Sequence, residues 1–156
     1  KELVQVIVFV SVNNRIALHM DHCHVVEYAA AHAGFTTGTP WLPVNPNYTQ
    51  VNAEAALADE NSVFHHYRKL IELRKEYDVI RDGNFTLLDF RDERVFAYTR
   101  DTRNGHLLVV CNFTAETFDY EIPESYYGSK LLISNYAKYA PGLRPYEAVM
   151  LYYETE

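Results

Sequence analysis

At Asp82 the hydrophobic pattern of this chain switches from helical spacing to strict alternation, and that switch limits the folds open to it. Before it, residues 62–80 read SVFHHYRKLIELRKEYDVI, in which Val63, Phe64, Tyr67, Leu70, Ile71 and Tyr77 recur at three- and four-residue spacing. That spacing gathers them on one stripe of a helix and turns Arg68, Lys69, Glu72 and Lys75 to water. Asn61 or Ser62 offers the N-cap oxygen, as Asn52 does for a shorter helix through VNAEAALAD. Beyond Asp82 come NFTLLDF, RVFAYTR, HLLVVCNF, TFDYEI, SKLLISNY and AVMLYY, short alternating stretches rich in aromatic and branched residues. Asp82-Gly83, Asn104-Gly105, Tyr127-Gly128 and Pro141-Gly142 punctuate them as turns. Strands at this spacing predict a small antiparallel β-sandwich.

Upstream of both helices, residues 32–48 read HAGFTTGTPWLPVNPNY. Gly34 and Gly38 allow dihedrals closed to other residues, while Pro40, Pro43 and Pro46 fix φ and push the residue before each into extended backbone. Such a stretch follows one irregular path rather than serving as a flexible linker. Hydrophobic residues at 48% and charged residues at 22% of 156 fit a globular chain large enough to bury a core. The 21 acidic against 14 basic residues, a net charge of -7, disfavour a phosphate backbone as partner, so nucleic-acid binding is not expected.

The HAGF loop, the amphipathic segment from Ser62 to Ile80 and the ending LRPYEAVMLYY (Leu143 to Tyr153), in this order, resemble the C-terminal part of alpha-amylase-family glycoside hydrolases. The resemblance is to the oligo-1,6-glucosidase, trehalose-6-phosphate hydrolase and alpha-glucosidase group, and covers about Ala31 to Tyr153. It implies a mixed α and β chain: the end of a (β/α)8 barrel, with a loop and the last helices, followed by a small antiparallel β-sandwich. The expected division is residues 1–30 unassigned, 31–80 barrel-derived and 81–156 the sandwich.

Retaining glycosidases need a carboxylate nucleophile and a second carboxyl acting as acid and base. In the family these stand well before the HAGF loop, so the resemblance carries over no catalytic residue, and no cofactor or metal. Asp59, Glu60, Asp78, Asp82, Asp89, Asp92 and Glu93 fall at helix ends or turns, where charge is solvated. Loops that follow barrel strands line the catalytic mouth. The resemblance thus makes Phe35 and Trp41 the substrate-loop candidates, with Trp41 either stacking on a pyranose ring or plugging the loop from beneath. Arg144 and Glu147 of the closing motif are expected to fix the last turn. No Ser, His and Asp arrangement argues for nucleophilic catalysis.

The function expected from this likeness is a supporting one, in the C-terminal fragment of a retaining alpha-glucosidase, inactive alone, that meets oligosaccharide only in the intact parent. The alternative is a free-standing carbohydrate-binding or interaction module. Self-association through an uncovered helix face is a further expectation. The run KELVQVIVFVSV is too short to span a bilayer, lacks a small-residue cleavage site and reads as a buried strand, so no membrane partner is expected; the lack of an export signal and the reading of both cysteines as reduced make the expected location cytoplasmic. Residues 1–30 share no likeness with the rest; a reading frame displaced by a nucleotide upstream of about Ala31 would produce such a segment. Within it His19, Asp21, His22, Cys23 and His24 match no zinc-site spacing, and Cys23 and Cys111 read as reduced thiols. Asn47, Asn84 and Asn112 each begin a glycosylation sequon.

Overall fold

The computed structural model describes residues 31–34, 36–44, 46–136 and 142–155. These divide into two units between Lys69 and Leu70.

In the first unit, the proline-rich loop leads into helix α1, Ala53–Ala58. Asn52 caps it as its sequence position suggests: its Oδ1 accepts from the Ala55 N–H at 2.8 Å, while its amide donates to the Tyr48 carbonyl at 2.9 Å. Ser62 then closes one helix and opens the next. Its hydroxyl donates to the Ala56 carbonyl at 2.5 Å and accepts from the His65 N–H at 3.5 Å, so helix α2 begins at Val63.

Helix α2, Val63–Glu76, crosses from one unit into the other. The single helical run expected to Ile80 is in fact two helices, because Tyr77 is extended (φ -109, ψ 106) and α3, Asp78–Asp82, starts afresh. The apolar stripe also differs from the expectation. Leu70 and Leu73 are buried, whereas Phe64, Tyr67 and Ile71 stay exposed. Leu73 belongs to the inward side because α2 meets the core of the second unit along Leu70 and Leu73, three residues apart.

That second unit is built on one five-stranded antiparallel sheet: β1 Asn84–Leu88, β2 Val95–Asp101, β3 Gly105–Asn112, β4 Lys130–Ser134 and β5 Ala148–Glu154. Its strand order is β1-β2-β3-β5-β4. Alternation sends Tyr98, Leu107, Val109, Cys111, Ala148 and Met150 to one face, where Leu70, Leu73, Val79 and Ile80 of the helices cover them. The other face carries Val95, Ala97, Leu108, Val110, Val149 and Leu151. Both faces of the central strand are thus sealed, and Leu107 to Asn112 have no exposed surface.

The expected sandwich is corrected in its second layer. Among the described residues there is one sheet, and the stretch TFDYEI forms no strand but a single bridge from Phe118 to Leu143. Phe118, Tyr120 and Ile122 pack on the second face as the chain crosses from β3 to β4, so their alternation reports which side chains are buried rather than backbone pairing. A 3-10 turn, Glu124–Tyr126, ends the crossing with Tyr126 buried against the same face.

Candidate functional site

The substrate-loop candidates belong to the first unit. His32, Ala33 and Gly34 follow one another in left-handed backbone, with φ of 55, 59 and 81. For His32 and Ala33 that conformation costs about 1–2 kcal/mol each, which only a fixed loop path sustains. Gly38 does not use its left-handed freedom; its N–H is tied to Thr36 Oγ1 at 3.0 Å. Trp41 stands 90% exposed in this chain. Phe35 lies outside the described residues, as does the histidine and cysteine cluster from His19 to His24.

In the second unit Asp78, Asp82, Asp92 and Glu147 face arginines. Arg81 is clamped between Asp78 and Asp82, reaching Asp82 Oδ2 at 2.8 Å. Asp92 holds Arg94 in a fork, Nε to Oδ1 at 2.9 Å and Nη2 to Oδ2 at 2.7 Å. The side-chain bond from Arg94, aided by its backbone N–H, brings the Asp92 carboxyl down to about 2. Arg100 of β2 donates to the Val79 carbonyl at 3.1 Å and to the Gly83 carbonyl at 2.8 Å, closing the end of α3.

The closing motif is a buried polar lock. Glu147 has no exposed surface, and its Oε2 accepts from both the N–H and Nε of Arg144 at 2.9 Å, while Arg144 Nη2 reaches Oε1 at 2.5 Å. The guanidinium lies 3.9 Å from the centre of the Tyr136 ring. Beside it, buried Asn112 donates to the carbonyls of Glu116 and Arg144, both at 2.8 Å, and accepts from the N–H and hydroxyl of Thr114. Its sequon is therefore a structural turn whose amide is unavailable for a glycan.

Two arrangements escaped the sequence. His106 Nδ1 meets Asp101 Oδ1 at 2.8 Å and its Nε2 meets Thr155 Oγ1 at 3.0 Å, with the Tyr153 ring stacked 4.7 Å away. The order of groups resembles a nucleophile, base and carboxylate. The Thr155 N–H, however, is bonded to the Asn104 carbonyl at 3.0 Å and so cannot serve an oxyanion, and the trio ties together the ends of β2, β3 and β5. The second arrangement is the β1–β2 connection. Asp89, with φ of 46, accepts a hydrogen bond from the Tyr120 hydroxyl, and Phe90 beside it is 75% exposed. Spacing alone signals neither. Among the described residues no three His, Cys, Asp or Glu side chains gather as metal ligands, and no helix is long and apolar enough to cross a membrane.

A family model of the alpha amylase catalytic domain matches residues 22–83, beginning ten residues ahead of His32, where the HAGF loop starts. An oligo-1,6-glucosidase of Halalkalibacterium halodurans is 48% identical over 125 residues, covering 75% of this chain and 22% of that protein. A trehalose-6-phosphate hydrolase of Bacillus subtilis is 42% identical over 130 residues, with 78% of this chain and 23% of that protein covered. Among solved structures, the trehalose-6-phosphate hydrolase of Bacillus licheniformis superimposes with a TM-score of 0.76 at 38% identity, over 82% of this chain and 25% of that one. The chain thus spans about a quarter of the length of the relatives it matches.

Proposed function

Because this chain belongs to the alpha-amylase family of glycoside hydrolases, we propose that it is the C-terminal part of a retaining alpha-glucosidase acting on short alpha-glucosides. Its role in that reading is to support the catalytic body rather than to carry out the chemistry. The observation behind the proposal is the match itself: three quarters of this chain align, at 40–50% identity, with about a quarter of enzymes named for cleaving glucosides.

The side chains support the division of labour. Retention needs two carboxyls about 5 to 5.5 Å apart across a sugar. Asp78, Asp82, Asp92 and Glu147 are instead held by Arg81, Arg94 and Arg144, so they stabilise turns and are not poised for proton transfer. Phe64, Tyr67 and Ile71 of α2, left exposed here, are the surface that meets the body of the enzyme, and two copies lacking that body would associate through them. A cytoplasmic location belongs to the same proposal.

The test is hydrolysis of p-nitrophenyl α-glucoside by this chain alone and after mixing with the N-terminal three quarters of a related oligo-1,6-glucosidase. The chain alone gives no turnover above the uncatalysed rate, and the mixture does. Turnover by the purified chain, abolished when one of its own carboxylates is replaced, overturns the proposal.

A further inference from the structure

The sheet order β1-β2-β3-β5-β4 leaves two edges, and they are built differently. β4 opens on Lys130, and its pairing with β5 shifts register between Leu131 and Ile133; charge and irregularity of this kind keep an edge from recruiting another strand. β1, NFTLL, has no charged residue and no proline, and its register on β2 runs unbroken from Asn84↔Asp101 to Leu88↔Ala97. In an antiparallel pair alternate residues turn their N–H and C=O to the partner, so the rest of β1's hydrogen-bonding groups point away from β2. Among the described residues no strand meets them. We propose that residues 3–12, LVQVIVFVSV, which lie outside the described residues, dock on this edge as a sixth strand.

The side chains at the edge fit that occupant. On the side of the sheet that the helices cover, Phe85 and Leu87 are each 42% exposed. The Phe85 ring lies 5.2 Å from that of Tyr98, Tyr98 lies 5.6 Å from Phe96, and Phe96 lies 6.3 Å from exposed Phe113, so an apolar row runs out to the margin. Thr86 and Leu88 fall on the opposite side, where Leu88 packs against the second cluster. The run carries the same two characters. Val4, Val6, Val8, Val10 and Val12 share one side of a strand, which would cover Phe85 and Leu87; Gln5, Ile7, Phe9 and Ser11 share the other, beside Thr86 and Leu88. Residues 13–30 tether the run to Ala31 and reach up to about 60 Å when extended. A strand tethered in the same chain competes at an effective concentration well above that of a second copy in dilute solution.

The experiment is hydrogen exchange of the whole chain, read by amide NMR at two protein concentrations about tenfold apart. The expected result is protection of every amide from Asn84 to Leu88, including those turned away from β2, equal at both concentrations. V6P/I7P should speed exchange of the outward amides at least about tenfold, and V6I/I7V should leave it unchanged. Neighbouring strand residues point their N–H to opposite edges, so one of the two prolines always removes a ladder donor. Continued protection of β3 and β5 shows that the proline variant folds. Free exchange of the outward amides in the unaltered chain, or protection that survives V6P/I7P, overturns the proposal. Protection that rises with concentration assigns the edge to a second copy, and protection gained only on adding the N-terminal three quarters of a related oligo-1,6-glucosidase assigns it to the catalytic body; either overturns it too. No readout here is turnover, so this proposal and the hydrolysis proposal fail separately.

Discussion

Replacing Arg144 by alanine should be among the most damaging single changes available in this chain. The substitution leaves the backbone N–H of residue 144 on Glu147 but removes two charge-assisted bonds, at 2.9 and 2.5 Å, from a carboxylate with no exposed surface. Bonds to charged groups contribute about 1.5–3 kcal/mol each, and breaking a buried pair from one side costs about 3–5 kcal/mol. The lost contact with the Tyr136 ring, at 3.9 Å, adds about 0.5–1 kcal/mol. Urea denaturation followed by circular dichroism reads the effect. With a slope of about 2 kcal/mol per molar, the midpoint should fall by about 1.5–2.5 M. The cycle with E147A carries the argument further: the double variant should be less damaged than the two single losses summed, by at least about 2 kcal/mol, because the second change removes the stranded carboxylate. R144K should recover only part of the loss, since an ammonium cannot fork onto both oxygens. A loss below about 1 kcal/mol for R144A, or additive single effects, would refute the account of Glu147 as a buried charge held by one partner.

Gly83→Ala isolates a steric contact, because Gly83 already has φ -64 and ψ 145, which alanine adopts freely. A β-carbon there would lie 2.5 Å from the Val79 carbonyl oxygen and 3.1 Å from Arg100 Cβ, so a loss of about 1–3 kcal/mol is expected in the same denaturation assay, and a neutral result would mean that the end of α3 yields. Burial pushes the Cys111 thiol up to about 12, so at pH 8 it should resist a thiol reagent in the folded chain and react only as the sheet opens. Peptide mapping by mass spectrometry reads this directly, and labelling at the rate of a free exposed thiol would contradict the burial.

Local pattern carried the elements well and the layers less well. Five of the six alternating stretches are strands, because a covered sheet face selects every second residue whatever lies opposite. TFDYEI has the same alternation for the same reason, yet its backbone has no neighbour beyond one bridge, and nothing in periodicity distinguishes the two cases. The caps at Asn52 and Ser62 were legible since each acts within a few residues of itself. The break at Tyr77 was not: it depends on Tyr77 leaving the helix, its ring 4.7 Å from that of Tyr152, 75 positions away. Of the substrate-loop candidates, Trp41 is exposed, while the Phe90 connection gave no signal because its partners, Tyr120 and Phe118, come from the crossing segment.

The strand order has a consequence for how the chain reaches this state. β4 has β5 as its only neighbour in the described sheet, and β5, which follows both in the chain, slots between β4 and β3. Until β5 is in place, β1 to β3 make a three-stranded meander whose β3 margin is raw, and β4 is a detached ribbon. Assembly therefore waits on β5, which makes closure of the sheet an all-at-once event and leaves its most apolar strand, β3, open to mispairing before then.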